Sequence, residues 1–113
     1  NDLDFGETSM ASGVYGKTNV SATTWTEVVA PPTTGNTKVT TVNVCNRTTA
    51  AVTVRLALST DTTITDDEFL EYDVSIPANG VLERTGIVLS ENNGLYVYTS
   101  ATGVSVIAYG LDG

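Results

Sequence analysis

The first stretch whose residue types and spacing suit chemistry is Ala11-Ser12-Gly13-Val14-Tyr15-Gly16-Lys17-Thr18, one glycine short of a phosphate-binding loop. That loop needs a glycine where Ala11 stands, a buried strand before it and a helix after it. The glycine-rich backbone and the helix N-terminus supply the N–H groups that hold phosphate. Here Thr18 is followed by Asn19, Val20 and Ser21, poor helix material. The segment reads as a flexible polar arm rather than a nucleotide site. A second candidate is the acidic cluster Asp61, Asp66, Asp67, Glu68, Glu71 and Asp73, whose oxygens suit a hard cation such as calcium. It lacks the alternating Asp/Asn ligands and central glycine of a calcium-binding loop. A solvated connection with a helix-capping carboxylate explains it, and a weak calcium site stands as the alternative. Paired carboxylates also run glycoside hydrolysis, yet these sit on a short polar loop or on exposed strand faces, with no sign of a cleft.

The remaining chemistry falls with the composition. The chain contains no histidine, so its Ser and Thr hydroxyls lack the usual general base and the commonest metal ligand is missing. Catalysis is not expected, and no catalytic, cofactor-binding or metal-ligating residue is assigned. Asn19-Val20-Ser21 and Asn46-Arg47-Thr48 match glycosylation acceptors, matches that are frequent in any Thr/Ser-rich chain. The single cysteine, Cys45, cannot form an intrachain disulfide and reads as a small buried hydrophobe at the end of an apolar strand.

At 113 residues the chain is expected to form one domain. Its 13 acidic and 5 basic residues give a formal net charge of −8. That field repels a phosphate backbone and an anionic leaflet alike, so neither nucleic acid nor membrane is an expected partner. No apolar run approaches the ~20 residues of a membrane-spanning helix, and no basic-then-apolar leader opens the sequence.

Positioning falls to strands. Thr and Val dominate, glutamine is absent, and strong helix formers are thin. Val52, Val54, Leu56 and Leu58 alternate with Thr53, Arg55 and Ala57; Leu70, Tyr72, Val74 and Ile76 alternate with Glu71, Asp73 and Ser75; Val104, Val106 and Ala108 make a third such face. Strands are expected at 24–29, 38–45, 51–58, 70–76, 81–89, 95–100 and 104–110. Asn46-Arg47-Thr48-Thr49, Pro77-Ala78-Asn79-Gly80, Asn92-Asn93-Gly94 and Ala101-Thr102-Gly103 supply the turns, the last two as hairpins. Thr65-Asp66-Asp67-Glu68 has capping-box form and predicts a single helical turn. The fold class is all-β, a single antiparallel β-sandwich of about seven strands, immunoglobulin-like or jelly-roll.

Residues 1–22 are expected to be an N-terminal extended arm, flexible or ordered on a neighbour, ahead of a β-sandwich domain over 23–113. Candidate interface residues are Leu3, Phe5, Val14 and Tyr15 on the arm, with Arg84, Tyr96 and Tyr98 on the sandwich. Tyr96 and Tyr98 share one strand face opposite Leu95 and Val97, so they either look toward a partner or close the core. Strand alternation turns either Glu83 or Arg84 outward, toward an inter-subunit contact.

Seven stretches carry a resemblance. Val42-Asn43-Val44-Cys45-Asn46-Arg47, Val52-Thr53-Val54-Arg55-Leu56-Ala57-Leu58, Leu70-Glu71-Tyr72-Asp73, and above all Ile76-Pro77-Ala78-Asn79-Gly80-Val81-Leu82-Glu83-Arg84-Thr85-Gly86 resemble a small module of tailed-bacteriophage structural proteins, found particularly in phages of marine cyanobacteria. Val97-Tyr98, Val104-Ser105-Val106 and Tyr109-Gly110 are similar too. The likeness covers residues 24–110 and leaves the arm out. It implies a virion structural protein on the outer surface of the particle: a capsid decoration or cement protein, forming a homo-oligomer and contacting the major capsid protein or other virion proteins. The alternatives are a tail or tail-fibre component that displays loops for host attachment, and a filament subunit that donates residues 1–22 as a strand to the next copy.

Overall fold

A computed structural model describes residues 13–112 of the chain. The alternating apolar residues form eight strands: β1 (Gly13–Val20), β2 (Thr26–Val29), β3 (Lys38–Asn46), β4 (Val52–Ser59), β5 (Phe69–Ile76), β6 (Val81–Leu89), β7 (Gly94–Thr99) and β8 (Val104–Asp112). They lie in two four-stranded antiparallel sheets, ordered β1-β8-β3-β6 and β2-β7-β4-β5. Strand β1 pairs with β8, β2 with β7, β3 with β6 and β4 with β5. Each partnership is that of one long hairpin, with β4 and β5 at its tip, rolled up so that successive pairs fall in opposite sheets. The rolled sheets are sealed by the β3·β8 and β4·β7 pairings. The result is an all-β sandwich of the jelly-roll type.

The core lies between the inner faces of the sheets. Val42 and Val44 of β3, Val54 and Leu56 of β4, Leu95 and Val97 of β7, and Val104 and Val106 of β8 have no exposed surface. Burying such a side chain stabilises the fold by ~1.5–3 kcal/mol. With no described disulfide, this interdigitated apolar layer is the main source of stability. The helical turn expected after Thr65 forms at Asp66–Glu68. There the Glu68 carboxylate accepts the Thr65 main-chain N–H at 2.8 Å.

Three sequence expectations change. First, the arm boundary moves. Residues 13–20, read as part of a 1–22 arm, form the edge strand β1, paired along β8 from Gly13–Gly110 to Val20–Val104. Val20 is 2% exposed and belongs to the core. Its strand was missed because Gly13, Gly16, Lys17 and Thr18 interrupt the alternation. Gly16 has a packing reason: a Cβ there would lie 2.0 Å from the Val28 carbonyl oxygen, so only glycine lets β1 pass this close to β2. The described part of the phosphate-loop likeness, Gly13 to Thr18, is therefore strand, with no helix after it. Second, Asn92-Asn93-Gly94 and Ala101-Thr102-Gly103 do not close hairpins. β6 and β8 belong to one sheet and β7 to the other, so both turns arch across the sandwich. Only the β4–β5 connection returns the chain to a neighbouring strand of the same sheet. Third, Tyr72 does not share a face with Leu70, Val74 and Ile76. Between the Leu56–Glu71 and Val54–Val74 pairs, β5 spends one more residue than β4. This bulge carries Asp73 at φ 52°, and Tyr72 is 57% exposed.

Candidate functional site

The two outer faces of the sandwich differ in chemistry. On β1-β8-β3-β6, the register sets Val14 beside Tyr109, and Val39 between Leu111 and Val88. Ile107 follows two residues before Tyr109 on the same face of β8. These six side chains are 38–65% exposed, Tyr109 least and Leu111 most. They form a continuous apolar surface on the side of the sheet away from the core. Tyr109 donates its hydroxyl to the Glu83 carboxylate at 3.3 Å. Toward the other end the face turns polar: Arg47 donates to Ser105 at 2.6 Å and to the Asn19 side-chain oxygen at 3.0 Å. A shallow depression there, lined by Lys17, Thr18, Asn19, Ser105, Val106 and Ile107, contains no carboxylate.

The outer face of β2-β7-β4-β5 is aromatic. Trp25, just before β2, lies 5.4 Å from the Tyr98 ring and 5.9 Å from Phe69. Phe69 meets Tyr72 edge-on at 4.9 Å. Trp25 and Phe69 thus meet although two strands separate β2 from β5 in the sheet. Ala57, in register with both Phe69 and Tyr96, leaves room between them and is fully covered. Arg55 lies over Tyr72 at 4.4 Å and Tyr98 at 5.0 Å. Its guanidinium donates twice to Asp73, at 2.6 and 3.3 Å. That contact raises the Arg55 pKa and lowers that of Asp73 below the ordinary carboxylate range.

The candidate interface residues scatter over this frame. Leu3 and Phe5 lie outside the described residues. Val14 is exposed in the apolar face. Tyr15 packs partly against the core, with the Lys38 ammonium 4.9 Å from its ring centre. Arg84 is turned to its own chain: it donates to the Leu70 carbonyl at 3.3 Å and pairs with the Glu71 carboxylate, tying β6 to β5 across the sandwich edge. Tyr96 is buried at 2% exposure and donates to Glu27 at 2.9 Å. Burial first, then the Glu27 contact, pushes its pKa up to about 12. Tyr98 is half-buried under Trp25. The two tyrosines therefore share the outer face of β7, and neither closes the intersheet core.

Sequence reasoning missed most of both surfaces. A signal for the apolar face was present in β8, where Ile107, Tyr109 and Leu111 alternate with Val104, Val106 and Ala108. A strand apolar on both faces is one that is covered on both. For the aromatic face, Trp25 and Phe69 lie 44 residues apart, and only the fold brings them together.

Other candidates lose their footing. Asn46 is fully buried and its side chain is bonded throughout, so it offers no glycosylation acceptor. Cys45 is half-exposed on the outer face of β3 rather than buried. Among the described residues, no three His, Cys, Asp or Glu side chains are grouped to hold a metal ion. Compared with protein-family models and with curated proteins, the sequence matches none.

Proposed function

We propose that this chain is a non-enzymatic structural module of a bacteriophage particle, a decoration subunit seated on the outer shell. The observation that carries the reading is the apolar outer face of β1-β8-β3-β6. Isolated exposed apolar residues are ordinary, but a continuous patch of six is a surface made to be covered. Four strands at ~4.8 Å spacing make a face roughly 20 Å wide, the scale of one side of a standard interface, ~800 Å² per partner. The polar arches and the −8 charge are left for solvent, where they keep a crowded surface protein soluble. The likeness of residues 24–110 to phage structural modules points the same way. In a lattice, many copies add weak contacts by avidity.

The strand-donating filament reading is weakened by β1, which is already paired with β8 of its own chain. A tail component remains the competing reading.

Cryo-electron microscopy of the native particle tests the proposal. The expected result is density regularly spaced over the shell with Val39, Val88 and Leu111 against capsid subunits. Density confined to the tail, or a shell-bound copy with that face in solvent, overturns it.

A further inference from the structure

We infer that the outer face of β2-β7-β4-β5 is a binding site for a neutral oligosaccharide, built on Trp25, Phe69, Tyr72 and Tyr98 with the Arg55–Asp73 pair at its polar edge. The inference concerns the sheet opposite the proposed shell contact and does not depend on that reading.

The four rings are contiguous, with centroid steps of 5.4, 5.9 and 4.9 Å from Tyr98 through Trp25 and Phe69 to Tyr72. They curl around Arg55, whose guanidinium lies 4.4 Å from Tyr72 and 5.0 Å from Tyr98. The two ends of the series therefore come back together, so the cluster offers stacking surface on the scale of a single sugar unit. Packing accounts for Trp25 and Phe69, which cover Ala57 and Tyr96. Tyr72 meets the edge of Phe69 and the Arg55 guanidinium, yet most of it stays outside that packing. The β5 bulge and the left-handed Asp73 bring Tyr72 out beside Asp73 and leave it 57% exposed. A non-glycine residue in that conformation is strained, and little burial is gained in return. Bulges of this kind re-aim side chains at binding surfaces.

The polar edge selects the ligand. Arg55 and Asp73 neutralise one another, yet the guanidinium keeps N–H groups free of Asp73 and the carboxylate keeps lone pairs. A fused donor–acceptor pair beside aromatic faces suits vicinal hydroxyls, each of which donates and accepts, while the C–H face of the sugar lies on the rings. Anionic ligands are disfavoured by Glu27, whose carboxylate is bonded to Tyr96 on the same face, and by the −8 charge. Trp, Tyr and Arg also anchor protein interfaces. Here, however, the cluster is flanked by exposed Thr53 and Ser75, paired across β4 and β5, rather than by further exposed apolar side chains.

Trp25 is the only tryptophan, so its fluorescence reports on the site directly. The full chain is titrated with neutral gluco-, manno- and galacto-oligosaccharides, and with sulfated counterparts, up to ~10 mM, which reaches weak binding. Saturable change with at least one neutral sugar is expected, with no response to sulfated ones. Tyr72→Ala, at an exposed position, is expected to weaken binding at least tenfold and leave the melting temperature unchanged. Asp73→Gly relieves the strained backbone, so it is expected to lose binding while stability holds or rises. Val88→Lys, on the opposite face, is expected to bind normally. No response to any neutral sugar, equal response to sulfated sugars, or full binding by Tyr72→Ala overturns the inference.

Discussion

The side-chain amide of Asn46 donates to the main-chain carbonyl of Ile76 at 3.1 Å, joining the ends of β3 and β5 across 30 residues of chain. The same amide reaches the carbonyls of Pro77 at 3.0 Å and Ala50 at 2.9 Å, while its oxygen accepts the Thr48 N–H and hydroxyl. One buried side chain therefore holds two of the arches that carry the chain from sheet to sheet.

Asn46→Ala removes all of these bonds at a fully buried position. The Pro77 carbonyl keeps the Gly80 N–H and the Ala50 carbonyl keeps the Thr48 hydroxyl, while the buried Ile76 carbonyl and the Thr48 N–H lose a partner, at ~1–3 kcal/mol each. A loss of about 3 kcal/mol is expected in urea unfolding. Asn46→Asp should be as damaging, since a carboxylate has no N–H to donate.

Thr40 presents the opposite case. Its side chain is fully buried in β3, and its hydroxyl has no hydrogen-bond partner. Thr40→Val replaces the stranded hydroxyl with a methyl group of similar shape. A gain of about 1 kcal/mol is expected, read as a higher urea midpoint at unchanged slope.

Deletions distinguish an arm from a strand. Removing residues 1–12 keeps every described strand in the chain and is expected to preserve the cooperative transition. Removing residues 1–20 strips β1 from β8 and takes Val20 out of the core. That product is expected to unfold or aggregate through the bared β8 edge, as judged by circular dichroism and sedimentation. Gly16→Ala should destabilise in the same direction, because its Cβ meets the Val28 carbonyl.

Tyr96 sets an alkaline limit. Its pKa is about 12 in the folded chain, against ~10 in an unfolded one. Between those values the unfolded chain has lost a proton that the folded chain keeps, so unfolding is favoured as pH rises. Stability from this group is fully present below about pH 10 and is lost on approach to pH 12. Urea unfolding at stepped pH should show a decline that is shallower in Tyr96→Phe.

Much of the strand framework was legible because period-2 alternation is local: Val52 to Leu58 and Val104 to Ala108 bury alternate residues whatever they pack against. The capping box at Thr65–Glu68 was legible for the same reason. The β5 bulge was not. Nothing in Leu70-Glu71-Tyr72-Asp73 marks the slip that turns Tyr72 outward, since it arises from how β5 meets β4.

The sequence by itself determined an acidic, histidine-free, all-β sandwich, through composition and alternation alone. Tertiary structure decided which strands became neighbours. A short turn such as Asn92-Asn93-Gly94 reverses the chain equally well into the same sheet or the facing one, and the choice rests on burying apolar faces against residues far away in sequence. That choice enlisted 13–20 as an eighth strand, gathered Trp25 and Phe69 into one surface, and spent Arg84 on a tie within its own chain. It also left the second apolar side of β8 in the open.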